Sequence, residues 1–130
     1  MAKPQISIVV PLFNESQSFL HLVKRLDDLI KTSSMTIEVV LVDDGSRDNT
    51  AQLIQQVALL NEKYTGVFLA RNYGHQIALS AGLAAATASE AIMVIDGDLQ
   101  DSPELLPEFY EYYKQGYDVV YAIRKKIKEG

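Results

Sequence analysis

The sequence predicts an α/β fold in which a mostly parallel sheet carries helices on both faces. Five apolar runs of strand length recur along the 130 residues, and segments with apolar side chains at helical spacing alternate with them. Parallel strands need a crossover of about a dozen residues or more, which these helical segments supply. The length suits one compact domain with a single core, so we expect one domain over residues 1–130.

The composition excludes several kinds of protein. With 17 acidic and 12 basic residues and a net charge of −5, nucleic acid held through its phosphates is not an expected partner. The absence of cysteine excludes disulfides and thiolate metal sites. No apolar run approaches the roughly 20 residues of a membrane span, and the N-terminus lacks a signal-peptide pattern. We therefore expect this chain to be cytoplasmic.

The first two strand-helix units follow the same pattern. A β-branched run at Gln5–Leu12 predicts a buried strand, and a polar turn at 13–16 leads into a helix. A second apolar run, Ile37–Val42, ends in two aspartates, after which Asp48 or Asn49 can cap the next helix. The predicted core positions of the two helices are Phe19, Val23, Leu26, Ile30, Leu53, Ile54, Val57 and Leu60.

Three more strands follow. Gly66–Ala70 is the third, and an alanine-rich helix predicted from about Ile77 to Thr87 has small residues that allow close approach to the sheet. Ala91–Ile95 is the fourth strand. The fifth, Asp118–Ile123, precedes a basic tail. Between these two strands Ser102 and Pro103 are predicted to begin a helix with a core face of Leu105, Leu106, Phe109 and Tyr113.

Polar clusters follow the first four strands, at the point where each strand ends. Because ligands of parallel sheets bind beyond the carboxyl ends of the strands, we expect these clusters to converge on one rim. A turn or a helix cap explains any one cluster equally well, but turn chemistry alone does not place so many carboxylates together. The clusters are Asn14-Glu15, Asp43-Asp44-Gly45-Ser46, residues 71–76, and residues 96–101.

The last of these clusters predicts a metal site. Asp96 and Asp98 are spaced to share a hard divalent cation, Gly97 allows the backbone to bend around a ligand, and Gln100 can add an amide oxygen. An all-oxygen set favours Mg²⁺ or Mn²⁺ over zinc. Mg²⁺ with few protein ligands is typically completed by substrate phosphates, so the predicted chemistry is on a diphosphate.

Arg71 lies in the third cluster, where a guanidinium and the free N–H groups of a helix start suit an anion. A surface arginine beside a capping asparagine is the alternative. The G-x-x-x-x-G-K-[ST] loop, the G-x-G-x-x-G fingerprint and the G-x-S-x-G elbow are all absent from the sequence, which argues against P-loop NTPases, dinucleotide oxidoreductases and α/β hydrolases.

Four ordered motifs resemble the inverting family 2 glycosyltransferases of GT-A fold, a Rossmann-like architecture. They resemble most the polyprenyl-phosphate branch, which includes dolichyl-phosphate mannose synthases and bactoprenol glucosyltransferases. The resemblance covers about residues 5–124. The motifs are Pro11-x-x-Asn14-Glu15, Val42-Asp43-Asp44-Gly45-Ser46-x-Asp48-x-Thr50, Arg71-Asn72-x-Gly74-His75-Gln76-x-Ala78 and Asp96-x-Asp98-Leu99-Gln100-Asp101.

The resemblance implies a substrate-binding set and a metal set. Base and ribose would contact Pro11, Phe13, Glu15 and Asp43, with Arg71 on the nucleotide side. The metal ligands would be Asp96, Asp98 and Gln100, and the predicted substrate-binding set also includes Asp44, Asp96, Gly97 and Asp98. Because a carboxylate can accept from uracil N3–H or from guanine N1–H, UDP- and GDP-sugars both fit.

The resemblance implies a longer protein, since members of this family continue into an acceptor half with the catalytic base and, in the polyprenyl branch, amphipathic and membrane-spanning helices. We therefore expect the base beyond Gly130, assign no catalytic residue here, and expect this donor-binding part alone to be inactive or weakly active. The complete protein would act on polyprenyl phosphate at the cytoplasmic face of the membrane, with a homo-oligomer left open. The alternatives are a nucleotide-binding or scaffold domain without turnover and a Mg²⁺-binding receiver-like signalling module.

Overall fold

The computed structural model describes residues 3–95 and 120–121, which form five strands and three helices. The elements are β1 (Ile6–Leu12), α1 (Phe19–Thr32), β2 (Ile37–Asp43), α2 (Thr50–Leu60), β3 (Tyr64–Phe68), α3 (His75–Ala85), β4 (Ala91–Val94) and β5 (Val120–Tyr121). The helix predicted to begin at Ser102 and Pro103 and the basic tail lie outside the described residues. In the described part of the chain, no helix is both long and apolar enough to cross a membrane.

The five strands form one parallel sheet in the order β3-β2-β1-β4-β5. Its centre is β1, which pairs with β2 from Ile6 opposite Ile37 to Leu12 opposite Asp43. All seven residues of β1 are buried. A fully buried, β-branched strand is typical of the middle of a parallel sheet. The predicted sheet is confirmed.

Helices cover both faces, as predicted. Because side chains alternate along a strand, Ile8 and Val10 point to the opposite face from Val9. The first face packs with α1 and α2 in a large cluster that includes Phe19 and Ile54. The second face packs with α3 in a smaller cluster that includes Val9, Val40, Val42 and Ala78.

Small side chains let α3 approach the second face closely. A Cβ at Gly82 would lie 2.5 Å from Val9 Cγ1 and 2.9 Å from Val42 Cγ2. The glycine therefore fits a space that even alanine would overfill. The sequence prediction of close helix-to-sheet packing is confirmed at this position.

Two elements, the third strand and the third helix, begin and end two residues earlier than predicted. The third strand begins at Tyr64 instead of Gly66, because the buried Tyr64 ring is anchored by a 2.7 Å hydrogen bond from its hydroxyl to Asp27 Oδ1. Burial, then this bond and the Asp27 charge, raise the pKa of Tyr64 well above its usual value. The third helix begins at His75 instead of Ile77, because Gly74 adopts φ 101° and ends the preceding turn there.

Some predicted core positions are wrong or shifted. Leu60 is 88% exposed, because it is the last residue of α2 and the chain already turns at Asn61 toward β3. In α1 the buried face also includes Leu22 and Leu29, while Val23 and Ile30 pack at its margin. Helical spacing gives the direction of a face to within a residue, but burial also needs a neighbour to pack against.

Asp48, rather than Asn49, accepts the side-chain hydrogen bonds at the start of α2. Asn49 occupies the N-cap position but makes no side-chain capping bond. Asp48 Oδ1 instead accepts from the Thr50 amide at 2.9 Å and from the Thr50 hydroxyl at 2.6 Å. The sequence left these two residues open as caps, and the structure selects Asp48.

Candidate functional site

Three loops meet at the carboxyl edge of the sheet. They are the β1–α1 loop (13–18), the β2–α2 loop (44–49) and the β3–α3 loop (69–74). The strands β2 and β3 lie on one side of β1, and β4 and β5 on the other. In such a sheet the strand order reverses beside β1, where α/β proteins bind ligands. The fourth strand runs parallel to β1 toward the same edge, and its pairing is described as far as Ile95 N, which donates to Val9 O at 3.1 Å.

The β1–α1 loop is docked onto the β2–α2 loop through Asn14. Its side-chain Oδ1 accepts from the amides of Arg47 at 2.8 Å and Asp48 at 3.3 Å, and its own amide donates to Ser46 Oγ at 2.9 Å. Asn14 has φ 53°, a left-handed conformation that asparagine tolerates better than most residues. These hydrogen bonds hold the residue in that conformation.

The next two residues of the β1–α1 loop are held by Thr50 and Asp48. The Glu15 amide donates to Thr50 Oγ1 at 3.0 Å, and the Ser16 amide donates to Asp48 Oδ2 at 3.2 Å. Burial raises the pKa of Asp48, but the hydrogen bonds from Thr50 and Ser16 outweigh it and lower the pKa from 3.8 to about 2. The Asp48 carboxylate is therefore ionised at neutral pH and fixed in place.

The β3–α3 loop is docked onto the other side of the β2–α2 loop by Asp44. The buried Asp44 carboxylate accepts from the Tyr73 amide at 2.9 Å through Oδ1 and from Asn72 Nδ2 at 3.3 Å through Oδ2. The Asp44 carbonyl also accepts from Asn72 Nδ2, at 3.3 Å. Gly45 lies directly beneath, where a Cβ would be 2.1 Å from the Arg71 carbonyl carbon.

Arg71 and Asp43 lie beside these contacts. The Arg71 guanidinium carbon is 4.7 Å from the centroid of the Tyr73 ring, a cation–π arrangement. Asp43 is 4% exposed, and its Oδ1 accepts from the Ser46 amide at 3.2 Å. Each side chain is thus held by its own segment of the rim.

A cleft of about 310 Å³ opens between the loops, next to the end of β1. Its lining residues are Pro11, Leu12, Phe13, Glu15, Asp44, Asn72, Gly74 and His75. Four of the residues selected from the sequence are in that set, whereas Asp43 and Arg71 are outside it. A second hollow of about 590 Å³ adjoins the first and shares Glu15 with it.

Sequence reasoning missed the participation of Asn72, Gly74 and His75 in the cleft. Their place in the third polar cluster was a signal, since that whole turn follows a strand end. Asp96, Gly97, Asp98 and Gln100 lie outside the described residues. Among residues 3–95 and 120–121, no group of three or more histidine or acidic side chains is placed to hold a metal ion.

A doubly wound parallel sheet with a polar cleft at the end of its central strand is the arrangement of α/β proteins that bind ligands beyond the carboxyl ends of their strands. Within that class, the chain belongs to glycosyl transferase family 2, whose sequence profile matches residues 7–130. The family that the four motifs resemble is confirmed.

Two relatives show how much of the length of a family member this chain spans. An uncharacterized glycosyltransferase of Bacillus subtilis, YkcC, is 41% identical over 124 residues, or 95% of this chain. An undecaprenyl-phosphate 4-deoxy-4-formamido-L-arabinose transferase of Pseudomonas savastanoi is 40% identical over 125 residues, also 95% of this chain. The chain spans 38% of the length of each of these relatives.

Solved structures support the same fold. Residues 1–349 of Staphylococcus aureus TarS, solved with UDP-GlcNAc, match 85% of this chain and 31% of that chain, with a TM-score of 0.64 and 27% identity. The mannosyltransferase PcManGT of Pyrobaculum calidifontis, solved with GDP-Man and Mn²⁺, matches 75% of this chain and 28% of that chain, with a TM-score of 0.63 and 24% identity. The second likeness bears on the fold alone.

Proposed function

We propose that this chain supplies the donor-binding part of a glycosyltransferase that moves a sugar from a UDP- or GDP-sugar to a polyprenyl phosphate. The observation that carries the proposal is the cleft at the end of β1, where side chains from three loops meet beside the reversal of strand order. The name of the Pseudomonas relative supports a polyprenyl phosphate acceptor. The UDP-GlcNAc complex of TarS supports a nucleotide-sugar donor.

The base end of the donor would lie between Phe13 and Glu15. Phe13 is 41% exposed and lines the cleft, so its ring is available to a base or ribose. Pro11 is buried at the floor of the same cleft. A carboxylate such as Glu15 or Asp43 can accept from the N–H groups of uracil or guanine, so the nucleotide is UDP or GDP in this proposal.

The diphosphate end would be held by a divalent cation on Asp96, Asp98 and Gln100. Their carboxylate and amide oxygens fit the ligand preference of Mg²⁺ and Mn²⁺, and Gly97 between the aspartates leaves room for a phosphate. When bound, the cation would neutralise charge that builds on the departing nucleoside diphosphate. Arg71 would add a fixed positive charge near the same group.

The acceptor side belongs to the longer protein in this proposal. An inverting transfer needs a base within hydrogen-bond reach of the attacking oxygen, or a phosphate that is already ionised and in line. The complete protein would supply this group and would work at the cytoplasmic face of the membrane. This chain would bind the donor without efficient transfer.

A receiver-like signalling role has less support. A receiver domain needs an acceptor aspartate after its third strand. Here β3 ends at Phe68 and is followed by Leu69, Ala70 and Arg71, none of which can accept a phosphoryl group. The other alternative is a domain that binds nucleotide within a longer protein that does not transfer sugar. A transfer assay on the longer protein distinguishes it from the leading proposal.

Calorimetric titration of this chain with UDP and with GDP, each with and without Mn²⁺, tests the proposal. We expect one nucleotide to bind, with an affinity that falls at least about tenfold without Mn²⁺ or in Asp98→Ala. Asp28→Ala is the matched control, since Asp28 lies on the exposed face of α1 in a surface ion pair with Lys24. Absence of binding by both nucleotides in the presence of Mn²⁺ contradicts the proposal.

A further inference from the structure

The Asp44 carboxylate is used by the protein itself. Its two oxygens accept from the Tyr73 amide and from Asn72 Nδ2, and the residue is only 4% exposed. These two hydrogen bonds occupy about half of the acceptor sites of the carboxylate, and the burial of Asp44 leaves little of the remainder accessible to a ligand. Although Asp44 lines the cleft, both of its carboxylate oxygens are hydrogen-bonded to residues of the β3–α3 loop.

Tyr73 connects that carboxylate to Arg71. The Tyr73 amide is bound to Asp44 Oδ1, and the Tyr73 ring lies 4.7 Å from the Arg71 guanidinium carbon. A cation–π contact restricts where a flexible arginine places its charge. The position of the Arg71 guanidinium therefore depends on the Tyr73 ring. The backbone of Tyr73 is in turn held by its hydrogen bond to Asp44.

Gly45 packs directly against the backbone of the β3–α3 loop. A Cβ there would lie 2.1 Å from the Arg71 carbonyl carbon and 2.3 Å from the Asn72 amide nitrogen, so the two loops touch backbone to backbone. This contact prevents the β3–α3 loop from moving inward. The Asp44 hydrogen bonds prevent it from lifting away.

We propose that Asp44 is a positioning residue, which acts through Tyr73 to hold Arg71 beside the nucleotide cleft, instead of contacting the nucleotide. This inference rests on the proposed function, because it takes the negatively charged nucleotide as the ligand of Arg71. It assigns Asp44 a different role from Glu15, which lines the same cleft but makes no hydrogen bond to the β3–α3 loop among the contacts described: its amide donates to Thr50 Oγ1, and its Oε1 accepts from the Ser18 hydroxyl at 3.2 Å.

A double-mutant cycle on UDP and GDP binding in the presence of Mn²⁺ tests the link to Arg71. We expect Asp44→Ala and Arg71→Ala each to weaken binding about tenfold, and the double variant to be no weaker than the single ones. A double variant weaker by about a hundredfold means independent contacts and overturns the proposal. Unchanged affinity in Asp44→Ala also overturns it.

Amide hydrogen exchange of the ligand-free chain gives a readout that does not depend on nucleotide binding. We expect the Tyr73 amide to exchange at least about tenfold faster in Asp44→Ala, and at the normal rate in Arg71→Ala. An unchanged Tyr73 rate in Asp44→Ala overturns the positioning role. If the wild-type chain binds neither nucleotide, the proposed function fails, whereas the Tyr73 rate still decides whether Asp44 orders the loop.

Glu38→Ala is the matched structural control. Glu38 also fixes a loop, by accepting from the Thr87 amide at 2.6 Å, the Thr87 hydroxyl at 3.0 Å and the Ser7 hydroxyl, but it does so near the amino end of β2. We expect Glu38→Ala to lower stability without changing nucleotide affinity. Equal weakening by Glu38→Ala would show that general destabilisation explains the Asp44 effect, and would overturn the proposal.

Asp44→Asn replaces Asp44→Ala if the alanine variant does not fold. The amide retains one oxygen for the Tyr73 N–H but loses the second acceptor, so we expect affinity and Tyr73 protection between those of wild type and alanine. Full loss of binding with normal Tyr73 protection would indicate a direct role for the Asp44 charge and would contradict positioning.

Discussion

The β1–α1 and β3–α3 loops dock onto opposite sides of the same β2–α2 loop, but they are held differently. On one side the hydrogen bonds are spread over Asn14, Ser46, Asp48 and Thr50. On the other side, among the described residues, the hydrogen bonds between the two loops all end on Asp44. The bonds of the first loop are distributed over four residues, whereas those of the second are concentrated on Asp44, next to a main-chain bond from Leu69 N to Asp43 O at 2.9 Å.

This difference predicts how each loop responds to substitution. When several residues each hold a loop, we expect removal of one to open only its own contact, because the remaining hydrogen bonds keep the loop in place. A loop that depends on one buried carboxylate can detach as a unit when that group is lost. We therefore expect the β3–α3 loop to be more sensitive than the β1–α1 loop to a single substitution, because fewer hydrogen bonds hold it.

The largest effect is expected from Gly45→Ala, which disrupts the close contact between Gly45 and the backbone of the β3–α3 loop. The new Cβ would overlap the Arg71 backbone, and φ 69° is unfavourable for alanine. We expect a loss of about 4 kcal/mol in the free energy of unfolding, measured by urea denaturation. Gly74→Ala is the control: at φ 101° with nothing within 4 Å of the new Cβ, it carries the backbone strain alone, about 2 kcal/mol. Equal losses would show that the close contact at Gly45 is unimportant.

A smaller effect is expected from Asp44→Ala, compared with Ser46→Ala on the distributed side. Loss of the buried Asp44 carboxylate leaves the partly buried Tyr73 amide without its partner, for which we expect a loss of about 2 kcal/mol in the free energy of unfolding. Ser46→Ala removes one acceptor of a more exposed amide and should cost about 0.5 kcal/mol. If the two variants are equally destabilised, the contrast between the loops is wrong.

Thr50→Val tests the distributed side at its most buried member. The substitution preserves shape but removes the hydroxyl that bonds Glu15 N and Asp48 Oδ1. We expect a loss of about 1.5 kcal/mol, with faster exchange of the Glu15 amide and little change at Arg47, whose amide stays bonded to Asn14. Faster exchange at both amides would mean that this loop also detaches as a unit.

The smallest effect is a pH dependence of stability through Asp48. Since its pKa falls from 3.8 to about 2 on folding, ionised Asp48 stabilises the fold fully above about pH 4, and this contribution is lost as the pH falls toward 2. Urea unfolding of the wild type and Asp48→Asn over that range measures it. The stability difference between the two should shrink as the pH falls. A constant difference would contradict the lowered pKa.

The sequence predicts the fold well because its strands are apolar runs that end in polar turns, as at Ile37–Asp43. It places the start of the third helix two residues late, because the signal is the backbone conformation of Gly74 and not a side-chain preference. The rim could be predicted from strand ends. The contact of Asp44 with Tyr73 could not, since its partner is a backbone amide that every residue except proline carries.

The central claim, that the cleft between the three loops binds a nucleotide, is tested most directly by backbone NMR of this chain titrated with UDP and GDP in the presence of Mg²⁺. The prediction is that, with one of the two nucleotides, the amides of Phe13, Glu15, Asn72 and His75 shift, whereas those of Ser7 and Thr87 near the opposite edge of the sheet do not. Shifts confined to residues outside the cleft, or no shift with either nucleotide, would contradict the account.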